Sequence, residues 1–370
     1  MGGGKRIMKR AELIFARPLE LQATAPAEAR GVPRDQARLM VSSASDKHEH
    51  THFFDLPRFL NPGDLLVVND SGTLAASLPA TGTLGNFIVN FATDFGNGTW
   101  LVEPRWSTSR QGPLPLSAGE EFEVAGLPTR LIANYPGLPR LWFAQVDGDV
   151  RAAMNRVGAP IRYGYVTEAY PLSTYQTVFA KNPGSAEMPS AAYPFTERVV
   201  NDLRARGIQI AAITLHTGVS SLEVETEIVE EHPLYPEPFT VSEATAEAVN
   251  AARREGRRVI ATGTTVVRAL ESAWNGHEVA PHHAFTRLYI HPQRGVHVID
   301  GLITGLHDPV TSHLAMLYTI ASQDLIRSAY QEAVSEGYLW HEFGDSHLIL
   351  PDRAQENPVG RWMGVSTYNG

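Results

Sequence analysis

The chain contains no cysteine in its 370 residues. That excludes disulfides, thiolate nucleophiles, cysteine-ligated zinc and cysteine-held iron–sulfur clusters, and with the clusters any radical chemistry run on them. No uncharged apolar run reaches the roughly 18 residues of a membrane span. The first segment, MGGGKRIMKRAELIFARP, is basic but lacks the apolar stretch of roughly 7–15 residues that a secretory signal needs, so a cytoplasmic protein is expected. A basic surplus is also missing: 31 Lys and Arg stand against 40 Asp and Glu, for a net charge of -9. Any surface for nucleic-acid phosphates must therefore be a local patch. Two nucleotide signatures are absent as well. No G-x-G-x-x-G follows the first strand-like run, and the TGTT turn at Thr262 to Thr265 lacks the lysine of a P-loop.

What is present is ordinary globular material, 43% hydrophobic, enough for a sizeable core. The length suggests two domains, or one large domain with an insertion. Up to about residue 70 the chain leads to LNPGDLLVVND, where a Pro62-Gly63 turn precedes the apolar run Leu65 to Val68. Such a run reads as a buried strand whose polar end, Asn69 and Asp70, reaches a site. Between about 71 and 149, short alternating runs such as NFIVNFATDF and LWFAQV are separated by Gly, Pro and Asn-Gly turns, the pattern of a small antiparallel sheet or barrel. From about 150 onward, helix and strand patterns alternate, with Ser242 capping one helix and Gly207 ending another. The expected architecture is α/β: a largely parallel, barrel-like body made of 1–70 and 150–370, with a β-barrel insertion at 71–149.

Three strand-like runs end in polar clusters: TLHTG at Thr214 to Gly218, TGTT, and TGLHD at Thr304 to Asp308. In a parallel sheet these ends share one rim, where ligands bind. One cluster alone is more simply read as a packed histidine at a strand end. Three at equivalent positions favour a site. HEHTH at His48 to His52 has no accompanying carboxylate set, so no metal is expected. APHHAF, with His282 and His283, reads as a solvated loop.

Eight strings, RDQARLMV, LNPGDLLVVND, TYQTVFA, TLHTG, EEHPLYPE, TGTTVVRALES, LITGLHDPVTSHLAML and FGDSHLIL, occur in the order and near the spacings of the queuosine-pathway ribosyltransferase-isomerases. The chain resembles that family from about Ala11 to Leu350. The resemblance implies an α/β body with a β-barrel insertion. It also implies transfer and isomerisation of the ribosyl moiety of S-adenosylmethionine onto a 7-deazaguanine base in tRNA, with loss of adenine and methionine. A sulfonium acidifies the neighbouring C5′ hydrogens, so the chemistry needs a base near C5′, donors that help adenine leave, and a dry pocket.

Several positions depart from the family's strings. Ser71-Gly72 and Ser77 stand where arginine-containing segments are usual, Pro194 and Tyr235 where histidines are, and Ser220-Ser221-Leu222, Gly305 and Asp308 also differ. Losing charged forks and a histidine weighs against a tRNA partner. Two acceptors therefore stay open: tRNA, or a small molecule (including closure of the donor's own aminobutyrate chain). The oligomeric state is open too. For proton transfer the candidates are His216 first, then His307 oriented by Asp308, and a His232–Glu237 pair. Thr264, Thr265 and Arg268 are expected to hold a carboxylate or ribose, unless Arg268 braces Glu271. Tyr175, Gln176 and Thr177 suit adenine. Ser190, Gly218, Asn69, Asp70 and Asp345 complete the expected pocket rim.

Overall fold

The computed structural model describes residues 7–43, 48–106, 113–219 and 223–351. Ser220, Ser221 and Leu222, one of the departures above, lie outside the described residues. In chain order the strands are β1 (Arg38–Ser43), β2 (His48–His52), β3 (Leu65–Asn69), β4 (Ser71–Thr73), β5 (Ser77–Gly82), β6 (Gly85–Gly96), β7 (Thr99–Arg105), β8 (Glu121–Val124), β9 (Leu127–Tyr135), β10 (Leu138–Val146), β11 (Asn182–Ser185), β12 (Gln209–Leu215), β13 (Glu237–Val241), β14 (Val259–Thr262), β15 (His282–Thr286), β16 (Gly301–Gly305) and β17 (Ser346–Leu350). The helices are α1 (Val150–Val157), α2 (Glu197–Ala205), α3 (Glu243–Arg254), α4 (Thr264–Ser272), α5 (Ser312–Ile320) and α6 (Gln323–Ser335).

Nine strands form one sheet in the order β15-β13-β12-β3-β14-β16-β17-β1-β2. Its centre, β12-β3-β14-β16, is parallel. The flanks are mixed: β13, β15 and β2 pair antiparallel, and β17 runs antiparallel to β16 but parallel to β1. The body is thus an α/β sheet that is parallel at its centre and mixed at its flanks, since β13 and β15 on one side and β17 and β2 on the other add antiparallel pairings. The HHAF run is the edge strand β15, not a loop.

The central strands are buried on both faces, which is why β3 (LLVVN) and β14 (VIAT) read as unbroken apolar runs. Leu65 and Val67 point into a core shared with α3, α4, α5 and α6, while Leu66 and Val68 point into one shared with α2 and the 53–60 turn. Asp149, Thr196, Ser242, Thr311 and Ser322 cap α1, α2, α3, α5 and α6, each accepting from the N–H three residues on. Each such cap contributes about 1 kcal/mol. The remaining helix, α4, begins at Gly263 with φ +91 and has no side-chain cap.

Strands β5 to β10 close into an antiparallel barrel in the order β10-β7-β6-β5-β8-β9. Its alternating strands fill the interior with Phe87, Val89, Trp100, Val124, Leu131 and Ala144. β4 stays outside the barrel and pairs with β11.

Candidate active site

Because β12, β3, β14 and β16 are parallel, their carboxyl ends lie on one edge. Asn69 ties that edge together. Its carboxamide donates to Leu215 O at 2.9 Å and to Thr265 Oγ1 at 3.2 Å, and its Oδ1 accepts from the N–H groups of Leu215 and Ser71. Asp70 does the same one residue on, accepting from Thr214 Oγ1 at 2.6 Å and from Asn182. Both expected rim residues therefore hold strand ends in register.

Beside this edge opens a cleft of about 230 Å³. One wall is the 187–191 segment with Ser190; the floor is Gly263, Thr264 and Thr265 at the start of α4; a third side is Thr304 to Asp308 with His313. Gly263 is required here: its φ is left-handed, and a Cβ would approach Ala191 to 3.2 Å. The missing side-chain cap leaves the first N–H groups of α4 available to an anionic ligand.

His307 lies deep in the cleft wall, its Nε2 2.7 Å from Thr304 Oγ1 and its ring centroid 4.7 Å from that of His313. Burial first, then the neighbouring histidines, pulls its pKa well below the usual imidazole range. His313 is lowered to about 4, by burial and then by Arg268. Both rings are neutral at pH 7 and able to accept a proton. Asp308 does not orient His307. It faces Arg17 (Nε to Oδ1 2.6 Å) and His341 (3.1 Å), since the backbone turn after β16 sends neighbouring side chains in different directions.

Thr217, rather than His216, lines the cleft. His216 stands behind it, Nδ1 2.7 Å from Ser71 Oγ, packed so closely on Gly184 that a Cβ there would come within 2.3 Å of the ring. Burial, then the charge of Arg151, lowers its pKa. The expected His232–Glu237 pair is not formed. Glu237 is ion-paired with Arg268 and accepts from Gly218 N–H, whereas His232 is buried with neither ring nitrogen hydrogen-bonded among the described residues. Gly218 is closed off by the Tyr235 ring. Arg268 does not brace Glu271, which is taken by Arg294 and His297. It opens instead on a smaller pocket with Glu237 and His313.

The adenine candidates are also committed elsewhere. Gln176 closes a two-bond clasp on Thr73, accepting from its N–H at 3.0 Å and donating to its carbonyl at 2.8 Å. Tyr175 packs on Phe343, and Thr177 is buried. Asp345 accepts from the N–H groups of Arg38 and Leu339, fixing the turn before β17. A Gly72 Cβ would meet Pro183 at 3.4 Å, and its φ is not left-handed. Sequence reading missed Tyr163, Tyr165, Glu187, His341 and Glu342, all of which line the cleft. They come from loops without periodicity, and only the Tyr-x-Tyr spacing at 163–165 hinted at a shared surface.

The HEHTH histidines face different partners: His48 bonds Ser42 and Ser328, His50 bonds Tyr338 and Glu332, and His52 stacks on Phe54. Among the described residues no group of three or more His, Asp or Glu is placed to hold a metal ion, and no helix is long and apolar enough to cross a membrane.

An α/β sheet with a carboxyl-edge cleft, an uncapped helix N-terminus and half-buried neutral histidines, joined to a β-barrel, defines an enzyme of the ligand-at-the-strand-ends class. The chain belongs to the family described as queuosine biosynthesis protein, which matches residues 11–349. Relatives named S-adenosylmethionine:tRNA ribosyltransferase-isomerase include one from Anaeromyxobacter dehalogenans, 35% identical over 93% of this chain and 99% of its own length. Another, from Moorella thermoacetica, is 38% identical over 86% and 94%. A crystal structure of S-adenosylmethionine tRNA ribosyltransferase from Thermotoga maritima is similar in fold, with a TM-score of 0.52 and 26% identity over 92% of this chain and all of that one.

Proposed function

We propose that this chain is an S-adenosylmethionine-dependent ribosyltransferase-isomerase acting on a 7-deazaguanine base in tRNA. The observation that carries the reading is the cleft itself, which places an uncapped helix N-terminus and two neutral histidines at one carboxyl edge. The α4 N-terminus with Thr264 and Thr265 suits the donor's carboxylate. Hydroxyls of Ser190 and Thr304 suit its ribose. His307 and His313, kept unprotonated by burial, suit removal of the C5′ proton that the sulfonium acidifies. His216, positioned by Ser71, supports the Thr217 wall from behind. The division into a body of 1–70 and 150–370 with an insertion at 71–149 is part of this reading, since β5 to β10 close on themselves. The relatives described above carry the tRNA enzyme's name, and neither favours a small-molecule acceptor.

The test is incubation with S-adenosylmethionine and tRNA bearing the 7-deazaguanine base, followed by mass spectrometry. Release of adenine and methionine with a mass gain on the tRNA is expected. Methylthioadenosine as the product, or no turnover, would overturn the assignment.

A further inference from the structure

The cleft has an acidic, aromatic end that the roles above do not use. Tyr163 and Tyr165 stack with centroids 5.9 Å apart at 12°, and Tyr165 stacks on His341 at 4.3 Å and 16°. Two carboxyl groups share this wall. The Tyr163 hydroxyl donates to Glu187 Oε1, and Glu187 is near enough for its charge to act on Glu342. Glu342 Oε1 is buried and has no hydrogen-bond partner among the described residues. Burial first, then the Glu187 charge, raises the Glu342 carboxyl to about 8. Among the described residues the other groups here are Tyr165, Tyr175 and Asp308, the last already facing Arg17 and His341, with Arg162 acting on Tyr175 and the Arg105 guanidinium 5.8 Å over the Tyr163 ring.

A carboxyl with one buried, unpartnered oxygen beside a second carboxylate is a costly arrangement. A cation placed between them and the ring faces relieves it, and an anion would worsen it. The donor carries two cationic groups. Its ammonium shares a carbon with its carboxylate, which this wall repels and the α4 N-terminus attracts. The sulfonium, three bonds further along the chain, is free to lie in the acidic end.

We infer that Glu342 and Glu187, walled by the Tyr163–Tyr165–His341 stack, form the subsite for the donor's sulfonium. The inference rests on the functional reading above and assigns one end of the same cleft. Glu342 is neutral in the empty cleft and becomes a carboxylate against the bound cation, releasing its proton to solvent. The cleft thereby selects the charged donor over the neutral sulfide left when the methyl group is gone.

The test is calorimetric titration of the full chain at pH 7 with S-adenosylmethionine and with S-adenosylhomocysteine, which keeps the ammonium and carboxylate but lacks the sulfonium charge. Buffers of different ionisation enthalpy count the proton. The expected result is at least about tenfold tighter binding of the sulfonium compound, with proton release on binding. Glu342→Gln should bring the ratio towards one and abolish the release, while S-adenosylhomocysteine affinity, which also reports folding, stays within about twofold. Equal affinities in the natural protein, or binding without proton release, overturn the inference even if turnover on tRNA persists. Should the variant not fold, those two measurements on the natural protein decide alone. Failure to bind either compound overturns the inference together with the functional reading.

Discussion

Ser71 Oγ lies 2.7 Å from Nδ1 of His216 and 2.6 Å from Ser185 Oγ, so one hydroxyl links β4, β11 and the end of β12. This contact fixes the ring that backs Thr217. Ser71→Ala should cost about 1 kcal/mol of stability and lower turnover, while Ser71→Thr keeps the oxygen and most of the activity. Gly184→Ala should be the more damaging change, since its Cβ falls on the imidazole itself. Adenine release by the three variants checks the order; equal activity in all three would remove His216 from the machinery.

The Arg268–Glu237 ion pair is largely buried, with side chains 13% and 5% exposed. Removing one partner strands the other charge. Glu237→Ala should therefore lose roughly 3–5 kcal/mol, more than an exposed ion pair could account for. Urea unfolding measures this, and a loss under 1 kcal/mol would show that the bridge is not desolvated in solution.

Stability should fall on acidification. His313 is lowered to about 4 and His347 to about 3, both by burial foremost. A depressed folded-state pKa means that the unfolded chain protonates first. The contribution is complete above about pH 6.5 and drains away as pH falls towards 4. For His313 the loss is on the order of 3 kcal/mol. Glu342 has the opposite sign: its raised value makes the folded state lose stability as pH climbs from about 4.5 to 8. Glu342→Gln should therefore raise the melting temperature at pH 8 and change it little at pH 5. Melting curves at pH 5, 6.5 and 8 test both signs, and a flat acid limb would contradict the buried-histidine account.

Ser77 opens the barrel at β5 and is half-buried. Ser77→Arg should add one phosphate contact, steepening the salt dependence of tRNA binding by about 0.7–0.9 in log–log slope. Gly72 is the poorer site for the same change, because it is buried against Pro183. A salt titration with and without Ser77→Arg decides. An unchanged slope would place the nucleic acid away from this end of the barrel.

Local sequence was enough for the elements that local physics controls. The unbroken apolar run of Leu65 to Val68 specifies a doubly covered strand, Ser242 and Gly207 mark helix ends, and alternating runs separated by Asn-Gly turns specify the barrel strands. It also put Thr214 to Gly218, Thr262 to Thr265 and Thr304 to Asp308 on one edge, because parallel neighbours align their carboxyl ends. Family membership followed from the order of eight short strings. Pairing across the chain was beyond its reach. Whether Asp308 meets His307 or Arg17, whether Glu237 meets His232 or Arg268, and what the Gln176 amide clasps are settled by contacts between residues distant in the chain, 31 apart for Glu237 and Arg268 and 103 apart for Gln176 and Thr73, or by the turn of one backbone. The acidic, aromatic end of the cleft belongs to the same class. Tyr165 and Glu342 come from separate loops with no periodic signature, and only tertiary packing brings them onto one wall.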